Sequence, residues 1–198
     1  MFSRKAARGI RVDLAQARTA ALEAAEDLFY ARGIQAVGMD EIRTASGVPL
    51  KRLYALFPSK SALVRACLEA RDTRWRAELA AYVDNRQGSP QDRVLAVFDW
   101  LHVWFSEPGF RGCAFINSFG ELGATDAAVA GIARRHTDAF RAYVTGLVVA
   151  AGGSQESALA HVLLAEGAIV TAAVSGTPEP ARQAGRAAAR LLADAPVT

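Results

Sequence analysis

An all-α fold follows from three features of the chain. Apolar residues recur at spacings of three and four from residue 13 onward, no run of alternating β-branched and aromatic residues interrupts them, and breaks rich in Gly, Pro and Ser divide the periodic stretches into nine segments. With 198 residues, 52% hydrophobic and 22% charged, the chain can bury a core. No self-similarity at a period of about 34 or 40 residues points to a solenoid.

The elements follow in order. From Asp13 to about Arg32, the residues Ala21, Ala24, Ala25, Leu28 and Phe29 form one apolar face, and Gly33 suits the left-handed position that ends a helix. A short helix over Met39–Ser46 opens with Asp40 and Glu41 at the positive end of its dipole. Gly47-Val48 makes a tight break, and Pro49, whose missing N–H is not needed there, opens a third helix to about Leu56. Ser59 caps a fourth helix that runs to about Val83 and is about 36 Å long. Beyond the break at Asn85–Pro90, helices are expected over Pro90–Phe105, Cys113–Leu122, Asp126–Ala151, Gln155–Val174 and Pro178–Ala193. Thr125, Ser154 and Thr177 serve as caps for the last three.

Net charge is only +3, but its distribution is uneven. Residues 1–60 carry ten Lys and Arg against six Asp and Glu, and the remainder thirteen against fourteen. All Lys lie at or before Lys60, and all His and Trp after it. This suggests a basic arm over residues 1–12 (Arg4, Lys5, Arg8, Arg11), a helix-turn-helix unit over 13–59, and a ligand-binding and dimerisation domain over 60–198. No stretch approaches the roughly 18–20 uninterrupted apolar residues of a membrane span, so no membrane partner is expected. The start lacks the apolar region of a secretory signal, and Cys67 and Cys113 stand alone, without a CxxC. The expectation is a cytoplasmic protein with no metal and no cofactor.

Helix, glycine-containing turn, helix over Met39–Leu56 is the arrangement that lays a second, short helix in the DNA major groove. Ile42, Val48 and Leu53 are spaced to bury its inner side. Lys51, Arg52 and Tyr54 lie near the start of the recognition helix, with Leu50 before them, where donors reach base edges and phosphates. Lys60, in a first turn without an acid, suits a phosphate at a helix N-terminus. The basic arm suits the DNA backbone or minor groove. Phe57 reads as core.

These residues also carry a family likeness. Ala20-x3-Ala24-Ala25-x2-Leu28-Phe29-x3-Gly33, then Met39-x2-Ile42-x4-Gly47-Val48, then Leu53-Tyr54-x2-Phe57-x-Ser59-Lys60-x2-Leu63 resembles the DNA-binding domain of TetR-family one-component repressors. The resemblance covers about residues 14–70. It implies a nine-helix subunit, a homodimer built mainly on the last two helices, a ligand pocket in the C-terminal domain, and release of DNA when ligand binds. Phe110-Arg111-Gly112-Cys113-Ala114-Phe115-Ile116-Asn117 is similar to the "GC-P-F-N" element of one TetR subgroup. Against the family pattern, Gly38 replaces a small hydroxyl residue, Arg43 a small alanine, Pro49 a serine cap, and Lys51-Arg52 a small pair. Arg43 and Thr44 on the second helix, with Leu50, Lys51, Arg52, Tyr54, Lys60 and Arg11, are the expected DNA-contacting set.

In the rear domain Trp75, Phe98, Leu101, His102, Phe105, Phe115, Phe119, Phe140, Tyr143 and His161 either form a plain core or line an apolar cavity, with Asn117, Glu121 and His136 as further polar points. Cys113 reads as a buried inert thiol or a redox sensor. No nucleophile elbow, metalloprotease motif, Walker loop or dinucleotide fingerprint is present, so no enzyme is expected; Cys113–His136 as nucleophile and base, or Asp99–His102 as an orienting couple, lacks a supporting third group. Ala158, Ala165, Ala168 and Ala172, with Gly176, leave room for a second subunit, beside a strip of Ala184, Ala188, Leu191 and Leu192. A two-fold dimer would place two recognition helices about 34–36 Å apart on a palindromic operator of double-stranded DNA. A small-molecule effector would oppose DNA binding by about 1–3 kcal/mol. Corepression or activation by ligand fits the same layout.

Overall fold

The computed structural model describes residues 3–193, and side chains from residue 13 onward. Its elements are α1 (Ser3–Arg32), α2 (Met39–Ser46), α3 (Leu50–Leu56), α4 (Lys60–Asp84), α5 (Pro90–Phe105), α6 (Ala114–Leu122), α7 (Ala127–Ala150), α8 (Gln155–Ser175) and α9 (Glu179–Ala193). No strand occurs among the described residues. The first helix extends beyond its expected start at Asp13 and takes in Ser3–Val12. Of the arm's side chains, including Arg11, nothing is described.

The helix ends follow local chemistry. Ser89 accepts from the Asp92 amide and Asp92 returns the bond, closing the start of α5 with Pro90 in its first turn. Ser59 accepts from the Ala62 amide, and Ser154 from that of Ser157. Two expected starts are corrected. Pro49 stands at the N-cap of α3 and not inside it, with its carbonyl accepting from the Arg52 and Leu53 amides. Asp126, not Thr125, caps α7: its carboxylate accepts from the Ala128 and Val129 amides, while the Thr125 hydroxyl donates back to Leu122. A carboxylate two and three residues before those amides has the reach and the charge to satisfy both.

The chain forms two compact units, one of residues up to Arg71 with Asn117–Ile132, the other of Asp72–Ile116 with residues from Ala133. This division differs from the expected boundary at residue 60, because α4, α6 and α7 each contribute to both units. In the first unit α1 packs on α2 and α3. Ala17, Ala21, Ala25 and Phe29, spaced four apart, give α1 its buried stripe, which lies with Ile42, Val48, Leu53, Phe57, Leu63 and Val64 in the core. In the second unit α8 and α9 pack on each other and on α5.

The α8 helix is apolar along most of its length, interrupted by His161 and Glu166. By length and composition it is apolar enough to cross a membrane, with a mean hydropathy of 1.7 over its best window. One of its faces is buried here, with Ala158, Val162, Ala165, Ile169 and Ala172 inside the subunit. His161 is fully enclosed, its ring nitrogens 2.7 and 3.2 Å from the carbonyl oxygens of Ser157 and Ala188.

Candidate nucleic-acid interface

The α2–turn–α3 segment divides its side chains cleanly. Ile42, Val48 and Leu53 are sealed inside, and Phe57 joins them as expected. Gly47 makes the turn at φ +67°, a conformation that other residues adopt only under strain. Gly38 caps α2 in extended conformation, and its N–H donates to the Glu41 carboxylate at 3.1 Å. That hydrogen bond, together with the Arg32 guanidinium paired to Glu41, holds the Glu41 carboxyl below the usual carboxylate range.

The outward face carries the expected contact residues. Lys51 and Tyr54 are exposed on α3, and Leu50 and Arg52 are half-buried beside them. Arg43 and Thr44 are exposed on α2; Arg43 Nε donates to Asp40 Oδ1 at 3.1 Å, and the Thr44 hydroxyl to the Asp40 carbonyl at 2.9 Å. Lys60 opens α4 with its Nζ 6.0 Å from the centre of the Phe29 ring. Arg52 reaches to α1, where Nη1 lies 2.8 Å from Asp13 Oδ2. Asp13 did not figure in the expected set, since no local pattern encodes a partner on another helix.

Around this face the first unit is tied by half-buried and exposed polar bonds. Glu121 on α6 accepts from the amides of Ile34 and Gln35 at 3.0 and 2.9 Å, while the Gln35 side chain donates to the Glu121 carbonyl. Gly33, at φ +87°, brings this turn so close that a Cβ there would stand 3.3 Å from the Glu121 oxygens. The Ser61 hydroxyl donates to Asp126, and that bond is the main cause of the lowered Asp126 pKa.

The expected pocket residues do not form one group. Asn117, Phe119 and Glu121 belong to the first unit, where Asn117 and Phe119 are exposed and Glu121 serves the α1–α2 turn. In the second unit Trp75 is the hub of an aromatic cluster, with edge contacts to Trp100, Trp104, His136 and Phe140 at ring distances of 4.9–5.5 Å. Phe105 contacts Trp104 and Phe110, and Phe115 stacks on His136 at 3.7 Å. Trp100, one helical turn before Trp104 on α5, was the missed member, and that spacing was the available signal. His136 Nδ1 lies 2.7 Å from Asp72 Oδ1, and Arg76 donates to the other oxygen. Burial pushes the Asp72 carboxyl up, but the hydrogen bonds from His136 and Arg76 outweigh it and hold the group below its usual value. Leu101 is fully buried, Phe98 packs where α5 passes Gly185 of α9, and His161 lies between α8 and α9. His102 and Tyr143 are half-buried. The Tyr143 hydroxyl is enclosed without a hydrogen-bond partner, and burial raises its pKa.

The alanines expected at a subunit contact face inward. Ala158, Ala165, Ala168, Ala172, Ala184 and Ala188 are all buried within the subunit. The outward stripe of α8 is Leu159, Leu163, Val170 and Val174, all exposed, with Gly167 among them. Leu191 faces this side, in an open apolar groove with Ala160, Leu163, Leu164, Ala187 and Arg190, and Leu192 is half-buried.

Of the catalytic couples, His136 is engaged by Asp72, and Asp99 pairs with Arg86 at 3.2 Å. Both cysteines are buried thiols. No group of three or more metal-ligating side chains occurs among the described residues.

Residues 21–67 match the family described as "Bacterial regulatory proteins, tetR family". The HTH-type transcriptional repressor NemR of Escherichia coli strain K12 is 28% identical over 102 residues, 51% of this chain and 51% of NemR. In that alignment the chain spans about half the length of the curated relatives it matches. A TetR-family transcriptional regulator from Streptomyces coelicolor has a TM-score of 0.84 at 29% identity, covering 91% of this chain and 96% of the other. A TetR transcriptional regulator from Chloroflexus aurantiacus scores 0.80 at 21% identity, covering 92% and 96%. Reduced Escherichia coli NemR scores 0.77 at 22%, covering 87% and 94%. The last two likenesses concern the fold.

Proposed function

We propose that the chain is a TetR-family transcriptional regulator, a homodimeric repressor bound to a palindromic operator and released by a small apolar or aromatic effector. The observation that carries the reading is the α2–turn–α3 face, where Lys51 and Tyr54 stand exposed on a short helix anchored by a sealed Leu53. Cations and a phenol on a helix of this kind serve base edges and phosphates. Repression is supported by the name of NemR, and the non-enzymatic, cytoplasmic setting by the family.

A second copy is supported by the outward stripe of α8, since Leu159, Leu163, Val170 and Val174 form an apolar surface that a partner's α8 and α9 would cover. An aromatic effector is supported by the cluster around Trp75, which offers ring faces and one polar point at His136.

Selection of duplexes from random DNA by the purified protein tests the DNA reading. A two-fold symmetric site with half-sites about 34–36 Å apart is expected. Failure to enrich any sequence overturns it. A Gly167→Leu change tests the dimer separately. A Cβ there would meet nothing within 4 Å, so the fold should persist while sedimentation shows dissociation; an intact dimer would move the interface elsewhere.

A further inference from the structure

The cations of the reading face differ in what holds them. Arg43 lies against Asp40 of its own helix, an ordinary pair three residues apart. Lys51 makes no ion pair among the described residues. Arg52 instead leaves its helix and reaches Asp13 on α1, at 2.8 Å. With 39% and 57% of the two side chains exposed, the pair stands in water at the edge of the same face, able to open.

A carboxylate beside a surface that meets DNA is repelled by phosphates, so affinity for DNA does not account for it. A guanidinium holds a carboxylate or a phosphate through the same N–H donors. Asp13 and a backbone phosphate therefore compete for Arg52. We propose that Asp13 is a specificity-determining positioning residue, which keeps the Arg52 guanidinium off the phosphate backbone and leaves the reading of bases to Lys51 and Tyr54. The inference rests on the DNA-binding function proposed above. Non-specific affinity is almost wholly phosphate contact. On random DNA the protein settles wherever its cations best meet phosphates, whereas on an operator the base contacts fix the register. A freed Arg52 thus gains more on random DNA, and restraining it raises the ratio of specific to random binding.

The test is affinity against salt concentration for a fluorescent mixed-sequence duplex two helical turns long. Asp13→Asn should steepen the salt slope by about 1, an extra threefold to fourfold loss for a fourfold rise in salt. Asp13→Glu, which keeps the acid, should hold the wild-type slope. In an Arg52→Ala background, Asp13→Asn should no longer steepen it. An unchanged slope in Asp13→Asn, or equal steepening with and without Arg52, overturns the inference, with thermal unfolding confirming that each variant is folded. If the wild-type protein binds no duplex at any salt concentration, the DNA-binding reading falls as well; if it binds and only the slope fails to respond, this inference alone falls.

Discussion

The helix-turn-helix face and the cluster around Trp75 place their chemistry on opposite sides of the solvent boundary. On the face, Ile42, Val48 and Leu53 hold the fold together, and Lys51 and Tyr54 are left for a partner. In the cluster, Trp75, Phe115 and Phe140 are buried, and the same rings that would meet a ligand also hold the unit together. Recognition and stability can therefore be separated by single substitutions in the first region, and are merged in the second.

The largest effect expected from this contrast is that of Trp75→Ala. Removing the hub should cost about 3–5 kcal/mol of stability in urea unfolding. A loss under about 1 kcal/mol would mean that the rings stand around a space they do not fill. Lys51→Ala comes next: about 1–3 kcal/mol of operator affinity and a relaxed base preference, with an unchanged unfolding midpoint. Arg52→Ala should cost less than Lys51→Ala, because the guanidinium is committed to Asp13; an equal or greater loss would make Arg52 a direct reader. Smaller again is Lys60→Ala, which should weaken all duplexes alike and lower the salt slope by about 1.

The smallest effect concerns acid. A carboxyl whose folded pKa lies below its ordinary value stabilises the fold above that value, and the contribution disappears as pH falls through the folded pKa. The Asp72 carboxyl is of this kind, with an ordinary value of 3.8. Stability of the wild-type protein should therefore fall as pH is lowered below about 4, and Asp72→Asn should flatten that fall. Parallel acid-unfolding curves would show that the His136 pair does nothing for the fold.

What could be read in advance follows the same division. Gly47, Ser59 and Pro90 act on their immediate neighbours, so the turn and the helix starts were legible from local chemistry. Lys51 and Tyr54 were legible because they flank Leu53, whose burial turns its neighbours on a short helix outward. The face that α8 turns to its neighbours was not. Ala158, Ala165 and Ala172 form one stripe of that helix and Leu159, Leu163 and Val170 another, and a helix apolar all round does not say which stripe packs on α9. The roles of Asp13 and Glu121 were hidden for a different reason: each serves a residue on another helix, and such partnerships leave no period in the sequence.

Glu121 makes the α1–α2 turn a natural sensor of its own surroundings. The amides of Ile34 and Gln35 are held by one carboxylate on α6 and by no helical ladder, so their exchange with deuterated solvent reports whether α6 keeps its grip. A compound that displaces α6 would expose these two protons first, which gives a label-free assay for effectors that needs neither the operator nor a reporter gene.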